Sequence, residues 1–289
     1  VSLQLADPPG PRGRRRILVA SVLAVAVLAA LAVLAVRRLA DNGRLDPDVW
    51  RVLIDEPDLR TLLWEGLLDT LRAAATGMVF AVALGVALAF ARLSPRPDVH
   101  RPAAVLVETL RGLPLLMLIF FAYLGLPALG VNLSAFWALV LGLTAYNGAV
   151  LSEIFRAGVL SIDRGQTEAA AALGMRGTQI FTLIQFPQAV RRMSPTLVSQ
   201  LVTLLKDTSL GFVIGYTELL RQGRTAVEYL GGRYALPIYT TLAVIYIVVN
   251  GSLSLTARWL ERRQSVRAGG STGAAATGTG AGTGVDAAA

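Results

Sequence analysis

Six apolar runs set the pattern of the chain: Ile17 to Val36, Leu71 to Ala91, Ala103 to Leu124, Ala135 to Phe155, Pro195 to Ile214 and Leu236 to Leu255. Each matches the roughly 20 residues that a helix needs to cross the hydrocarbon of a bilayer. The pattern therefore predicts an all-α, polytopic membrane protein with six transmembrane helices. The first run follows Arg12, Arg14, Arg15 and Arg16. A secretory signal peptide starts the same way, but its apolar region is only about 7–15 residues long, so the expectation is an uncleaved anchor. The Arg14-Arg15-Arg16-Ile17-Leu18 stretch also loosely matches a twin-arginine signal, a route for which a chain with five further spans has no need. The fifth run is different in kind. Thr196, Ser199, Gln200, Thr203, Lys206 and Asp207 recur at spacings of three and four, which puts them in one stripe along a helix. Lipid cannot satisfy such groups, so the stripe faces other helices or water. Two readings stand: hydrogen bonding between helices, or the wall of a translocation path.

Composition agrees with this. Of 289 residues, 54% are hydrophobic and 16% are charged, against roughly a quarter charged in an ordinary globular domain. Mean hydropathy is +0.57. A soluble domain is excluded. The net charge of +8 comes from Arg clusters between the runs rather than from one basic face, so no nucleic-acid partner is expected. There is no Cys, and His100 is the single His, which leaves no thiol nucleophile, disulfide or metal constellation. His100 reads as a solvated loop residue.

Basic residues are retained on the cytoplasmic side of a membrane. With the N-terminus inside, fifteen Lys and Arg fall in cytoplasmic segments and eight outside, so both termini are expected in the cytoplasm. Arg37 and Arg38, just beyond the first run, go against the rule. The expected division is a basic N-terminus (1–16), an anchor helix (17–36), an external loop (37–60), a core (61–263) and a tail (264–289). From Gly269 the tail is almost entirely Gly, Ala and Thr and reads as disordered. No internal repeat of the kind carried by inverted-repeat transporters is visible.

Almost 40 residues, Arg156 to Ser194, separate the fourth and fifth runs, a long connection for a compact bundle. Asp163 is placed to cap a helix, with Gln166 in capping-box position. The Ala-rich stretch Thr167 to Leu173 favours helix, and Gly174 supplies a left-handed stop. A short helix with small side chains is expected along the membrane surface. A second apolar segment, Thr178 to Phe186, is expected to end at Pro187. The alanines read either as good helix formers or as a small face that lets another protein approach the backbone, with Glu168 offering a charge near the helix start.

Glu168-Ala169-Ala170, three residues, Gly174, nine residues and Ile184-Gln185-Phe186-Pro187 resemble the EAA motif of permease subunits of bacterial ABC importers, with Phe186 where Leu is usual. Arg111 to Leu116, Ala145-Tyr146, Ser152 to Gly158, Gly165 to Glu168, Pro187-Gln188-Ala189 and Leu205 to Leu210 resemble the polar amino-acid branch of that family. The resemblance covers roughly residues 61–262, and the first helix is an addition to the five-helix core that it implies. It further implies a type I importer permease in the bacterial cytoplasmic membrane. A coupling loop at about 157–194, including Gly165, Glu168, Ala169, Ala170 and Gly174, would dock its short helix on a dimer of cytoplasmic ATPase subunits. The other implied partners are a second permease copy or paralogue, and an extracytoplasmic binding protein that delivers a polar amino acid, glutamate or glutamine first among them. ATP and Mg would bind on the ATPase; this chain has no G-x-x-x-x-G-K-[ST] loop and is expected to hold no cofactor and no catalytic residue of its own.

Within the spans, Ser199, Gln200, Thr203, Lys206 and Asp207 are the candidate path or gate residues. Lys206 is the only lysine, and an intramembrane ionisable pair is costly enough to suspect of function. Neighbours on a helix point in different directions, so Lys206 and Asp207 are each expected to find another partner, such as Glu153 or Arg111. Glu108 with Arg111, and Glu153 with Arg156, stand at i and i+3 and are expected to pair on their helices. Gly112 and Pro114 are expected to bend the start of the third span, and Pro195 to open the fifth. Ala81, Gly85 and Ala89 have small-xxx-small spacing that suits close packing. An ion-coupled secondary carrier is the alternative, although Asp207 is essentially the only deep carboxylate it would have.

Overall fold

A computed structural model of the chain describes residues 10–273, and among them there is helix, turn and loop but no strand. Helix α1 (Pro11–Asp41) has Pro in its first turn, where a missing N–H costs nothing. It buries none of its side chains, and it meets the bundle at its C-terminal end, where Leu39 borders a cleft with Leu236 and Tyr239 of the last long helix. Two single-turn helices, Pro47–Trp50 and Val52–Asp55, lead to α2 (Pro57–Leu93). At 37 residues, α2 is about 55 Å long, well beyond the roughly 30 Å of a bilayer core. Its first turns therefore project past the membrane.

The third apolar run is not one straight crossing. It is split between α3 (Pro97–Gly112) and α4 (Leu115–Leu129), which meet at 102°. The sequence placed a bend at the beginning of this span; it falls about ten residues into the run instead. Leu113 is extended, φ −87° and ψ 139°, because the Pro114 ring excludes the helical region for the residue before it. Among the described residues, five helices are long and apolar enough to cross a membrane, or six if the bent pair counts as one span.

Helix α5 (Ala135–Leu160) is N-capped by Ser134, whose hydroxyl accepts from the Trp137 N–H. Then come the short α6 (Arg164–Ala172), α7 (Gly177–Ile214), the surface helix α8 (Leu219–Leu230) and α9 (Ala235–Gly273). Helix α9 is described through Gly273; the rest of the tail expected to be disordered, and residues 1–9, lie outside the described residues.

Helix α2 packs on α5 more extensively than any other pair. Ala81, Gly85 and Ala89 are all buried along that seam, so the two backbones approach closely, and packing of small residues takes over where lipid offers no hydrophobic drive. Around it Leu139, Leu143, Leu151 and Leu204 are fully buried. Polar ties cross the same core. The Gln200 amide of α7 donates to the Asn147 side-chain oxygen at 2.6 Å, and Asn147 donates to the Leu143 carbonyl at 2.9 Å.

Candidate functional site

Two short surface helices lie at opposite ends of α2. One end of α2 carries Phe90, whose ring sits 5.2 Å from Phe181 at the start of α7, next to α6. The other carries Gly66, against Leu219 of α8. Residues 66 and 90 are about 36 Å apart along the helix axis.

Helix α6 begins at Asp163, which accepts from the Gly165 N–H at 2.8 Å. It ends in a left-handed Gly174, φ +77°. There the Met175 N–H reaches the Ala170 carbonyl and the Gly174 N–H the Ala171 carbonyl, the paired closure of a Schellman stop. The expected capping box does not form. The Gln166 side chain is instead occupied by Gln188 of α7, which donates to it at 2.6 Å, and Gln185 donates to Thr167 at 3.1 Å. Ala170 is buried, while Gly165, Glu168, Ala169 and Gly174 are exposed. Leu173 is 83% exposed, a large apolar side chain beside a small-residue face.

Pro187 does not end a helix. Ile180–Gln185 forms a π-helical turn that runs into Phe186–Asp207, and a π turn relieves the clash and the lost bond that Pro imposes on α-helix. The fifth span does not open at Pro195 either, which lies inside the helix. The segment that follows α6 is thus continuous with the span that carries the polar stripe.

Along α7, Thr196, Ser199, Thr203 and Lys206 are exposed, Asp207 is half-buried, and Gln200 turns inward to Asn147. Beyond Lys206 lies a cleft of about 430 Å³ lined by Lys206, Ser209, Leu220, Tyr246, Ile247 and Asn250. Lys206 forms no ion pair among the described residues. The expected partnership with Glu153 or Arg111 is not made, because Glu153 lies near the α6 end of the bundle. There it bonds Arg92 at 2.5 Å and also Arg156. Glu108 and Arg111 form no ion pair either; both are exposed on α3, where water competes for each charge.

At the far end, Glu218 caps α8. Its two carboxylate oxygens accept from the Leu220 and Arg221 N–H groups at 2.8 and 2.7 Å, and the Tyr246 hydroxyl of α9 donates to it at 3.1 Å. The Leu219 N–H goes to the Thr70 hydroxyl of α2 at 3.0 Å. Glu218 is completely buried. Burial pushes its carboxyl up to about 7, against the opposing pull of the two backbone N–H groups and of Tyr246. Nearby, Tyr216 donates to the Asp69 carbonyl at 2.9 Å, and burial raises its phenol above the ordinary range. The sequence reading missed Glu218, Tyr246, Asn250 and Arg92. For Glu218 a signal was present: an acidic residue stands immediately before Leu219, Leu220, Gly223, Ala226, Val227 and Leu230, an amphipathic helical spacing. Tyr246, Asn250 and Arg92 are set by tertiary contact alone.

A bundle of membrane helices with an exposed small-residue surface helix tied to a polar span is the architecture of a transport subunit. The family described as binding-protein-dependent transport system inner membrane component matches residues 81–266, and the chain belongs to that family. It is a multi-pass permease subunit of the inner membrane, with the type I ABC importer fold. Among its relatives, a probable glutamine ABC transporter permease protein of Bacillus subtilis is 44% identical over 70% of this chain and 94% of its own length. The glutamate transport system permease protein of Corynebacterium glutamicum is 40% identical over 80% and 84%. Of solved structures, an amino acid ABC transporter crystallised with histidines superposes with a TM-score of 0.67 at 32% identity, covering 71% of this chain and 94% of that one. The inward-facing MetNI methionine ABC transporter superposes at 0.62 with 19% identity, over 72% and 98%, which speaks for the fold alone. Nothing in these likenesses supports the secondary carrier. Helix α1 lies outside the matched region.

Proposed function

We propose that the chain forms half of the translocation path of an ATP-driven importer of polar amino acids, glutamate or glutamine foremost. The observation that carries this is α7. Its exposed face carries Thr196, Ser199, Thr203 and Lys206; Thr203 is satisfied by the Ser199 carbonyl, but the Lys206 ammonium is costly against lipid, so a second permease subunit, a copy or a paralogue, covers this face and encloses a polar route. The relatives named for glutamine and glutamate support the substrate class. In this reading α6 lies in the cytoplasm with both termini and docks on an ATPase subunit. ATP and Mg act there, not on this chain.

The mechanics follow from the bonds. Gln185 and Gln188 of α7 hold Thr167 and Gln166 of α6, so a displacement of α6 by the ATPases is passed to α7. That helix runs on to Lys206, roughly 32 Å from Gln185 along the axis. Alternating access is then the rocking of α7 and its partner helices about the α2–α5 seam. A binding protein on the α8 side delivers the substrate. The test is initial uptake of labelled glutamate, glutamine, arginine and histidine by cells with and without the gene, repeated after ATP depletion. Loss of ATP-dependent uptake of glutamate or glutamine is expected. Uptake that survives ATP depletion and collapses with the ion gradient would overturn the reading.

A further inference from the structure

Glu218 is an odd choice of cap. Ser, Thr, Asp and Asn dominate that position, and each would satisfy the first N–H groups of α8 without burying a longer carboxylate. Burying a charge is expensive unless it is paired, and no Arg or Lys forms an ion pair with Glu218 among the described residues. What the longer side chain adds is reach. While its oxygens hold the Leu220 and Arg221 N–H groups, one of them also takes the Tyr246 hydroxyl across a helix boundary.

The elements so joined are the two sides of the Lys206 cleft. Leu220 from α8 and Tyr246 from α9 both line it. One turn beyond Tyr246, Asn250 donates to the Tyr246 carbonyl at 2.7 Å, while its own side-chain oxygen, in a residue 8% exposed, has no hydrogen-bond partner among the described residues. The third contact comes from α2. A Cβ on Gly66 would stand 2.9 Å from the Leu219 Cα, so only glycine lets α8 sit this close, and Thr70 then takes the Leu219 N–H.

We propose that Glu218 is a positioning residue of the translocation path: its carboxylate ties α8 to α9 through Tyr246 and so sets the opening of the Lys206 cleft at the end away from the coupling helix. This rests on the reading of that cleft as part of the path. Glu218 touches no substrate; it acts through Leu220 and Tyr246. Loosening the tie leaves the docking of α6 unaffected but makes the cleft less well formed for the incoming solute.

The experiment uses the full transporter, with its ATPase and binding protein, in liposomes. Tyr246→Phe removes only the hydroxyl, and Glu218→Asp keeps a good cap but shortens the reach. Each is measured for half-saturation and maximal rate with labelled glutamine and glutamate, alone and combined. In parallel, amide hydrogen exchange is followed in 219–230 and in 164–172. Expected is a rise of about five- to tenfold in half-saturation with the maximal rate nearly kept, the double variant no worse than either single one, and faster exchange confined to 219–230. Additive effects, a fall in maximal rate alone, or unchanged exchange in Tyr246→Phe would overturn the proposal. If the wild type carries neither solute but exchange responds as expected, the assigned substrate fails and the tie stands.

Discussion

Helices α6 and α8 are both short, both lie on the surface and both sit at an end of α2, yet they are held by opposite means. Helix α6 has one buried residue, Ala170, and two side-chain bonds to α7 between neutral amides and a hydroxyl. Helix α8 buries Leu219, Gly223 and Ala226 against α2 and α9 and is capped by a fully buried carboxylate. Neutral hydrogen bonds such as these are worth about 0.5–1.5 kcal/mol each; a buried capped terminus is worth more and costs more to break. The contrast teaches a division of labour. In the proposed reading, the end grasped by another protein is lightly tethered and open, and the end that shapes a cleft is clamped within the chain.

The largest effect should come from the one place where α6 is not lightly specified. Gly174 has φ +77° with nothing near a would-be Cβ, so Gly174→Leu strains the stop by about 1–2 kcal/mol and adds bulk to the exposed face without any internal clash. ATP-driven uptake should fall at least tenfold while the subunit still reaches the membrane. Membrane-fraction blots beside uptake assays check this, and normal uptake would remove the difference between the two ends.

A mid-sized effect belongs to α8 and depends on pH. The Glu218 carboxyl is raised to about 7 in the folded protein from an ordinary 4.5. The unfolded chain gives up its proton first, so Glu218 supports the fold below about pH 4.5 and that support is lost as pH rises through 7. Charged and titratable groups on the elements packed around it include Asp69 and Arg72 of α2, Tyr216, Arg221, Lys206 and Tyr246, with Arg224 and Glu228 paired to each other further along α8. Thermal unfolding of the purified protein from pH 5 to 8 should show the wild type losing about 1–3 kcal/mol relative to Glu218→Gln. Parallel curves for the two would mean that the carboxylate is not the group that titrates.

The smallest effect should come from the neutral tethers of α6. Gln185→Ala or Gln188→Ala should each lower uptake only a few-fold, in keeping with about 1 kcal/mol per neutral hydrogen bond. ATPase activity stimulated by the loaded binding protein gives the readout. A complete loss in either variant would mean that α6 is clamped as firmly as α8.

What the sequence made legible follows the same contrast. Helix α6, its Asp163 cap and its Gly174 stop are written in local residue types, and so are the apolar runs, because local chemistry dictates both. The joint between α3 and α4 was foreseen in its cause, Gly112 and Pro114, but not in its depth, since periodicity does not say where a bilayer begins. Pro187 and Pro195 read as helix boundaries by local rules, yet the chain passes through both. Glu153 was paired with Arg156 by spacing, but its bond to Arg92, 61 residues away, and that of Glu218 to Tyr246 exist only once the helices are assembled.

The π-helical turn at Ile180–Gln185 has a consequence for the phase of α7. Each i→i+5 ring encloses one residue more than an α-helical ring, so the turn takes up a surplus residue within itself. Numbering on its two sides therefore belongs to two helical frames, offset by one position. A residue deleted inside the turn heals the helix and leaves Lys206 facing where it did. The same deletion at Val198 has no slack to consume, and it swings Lys206 and everything beyond it by about 100° away from the cleft.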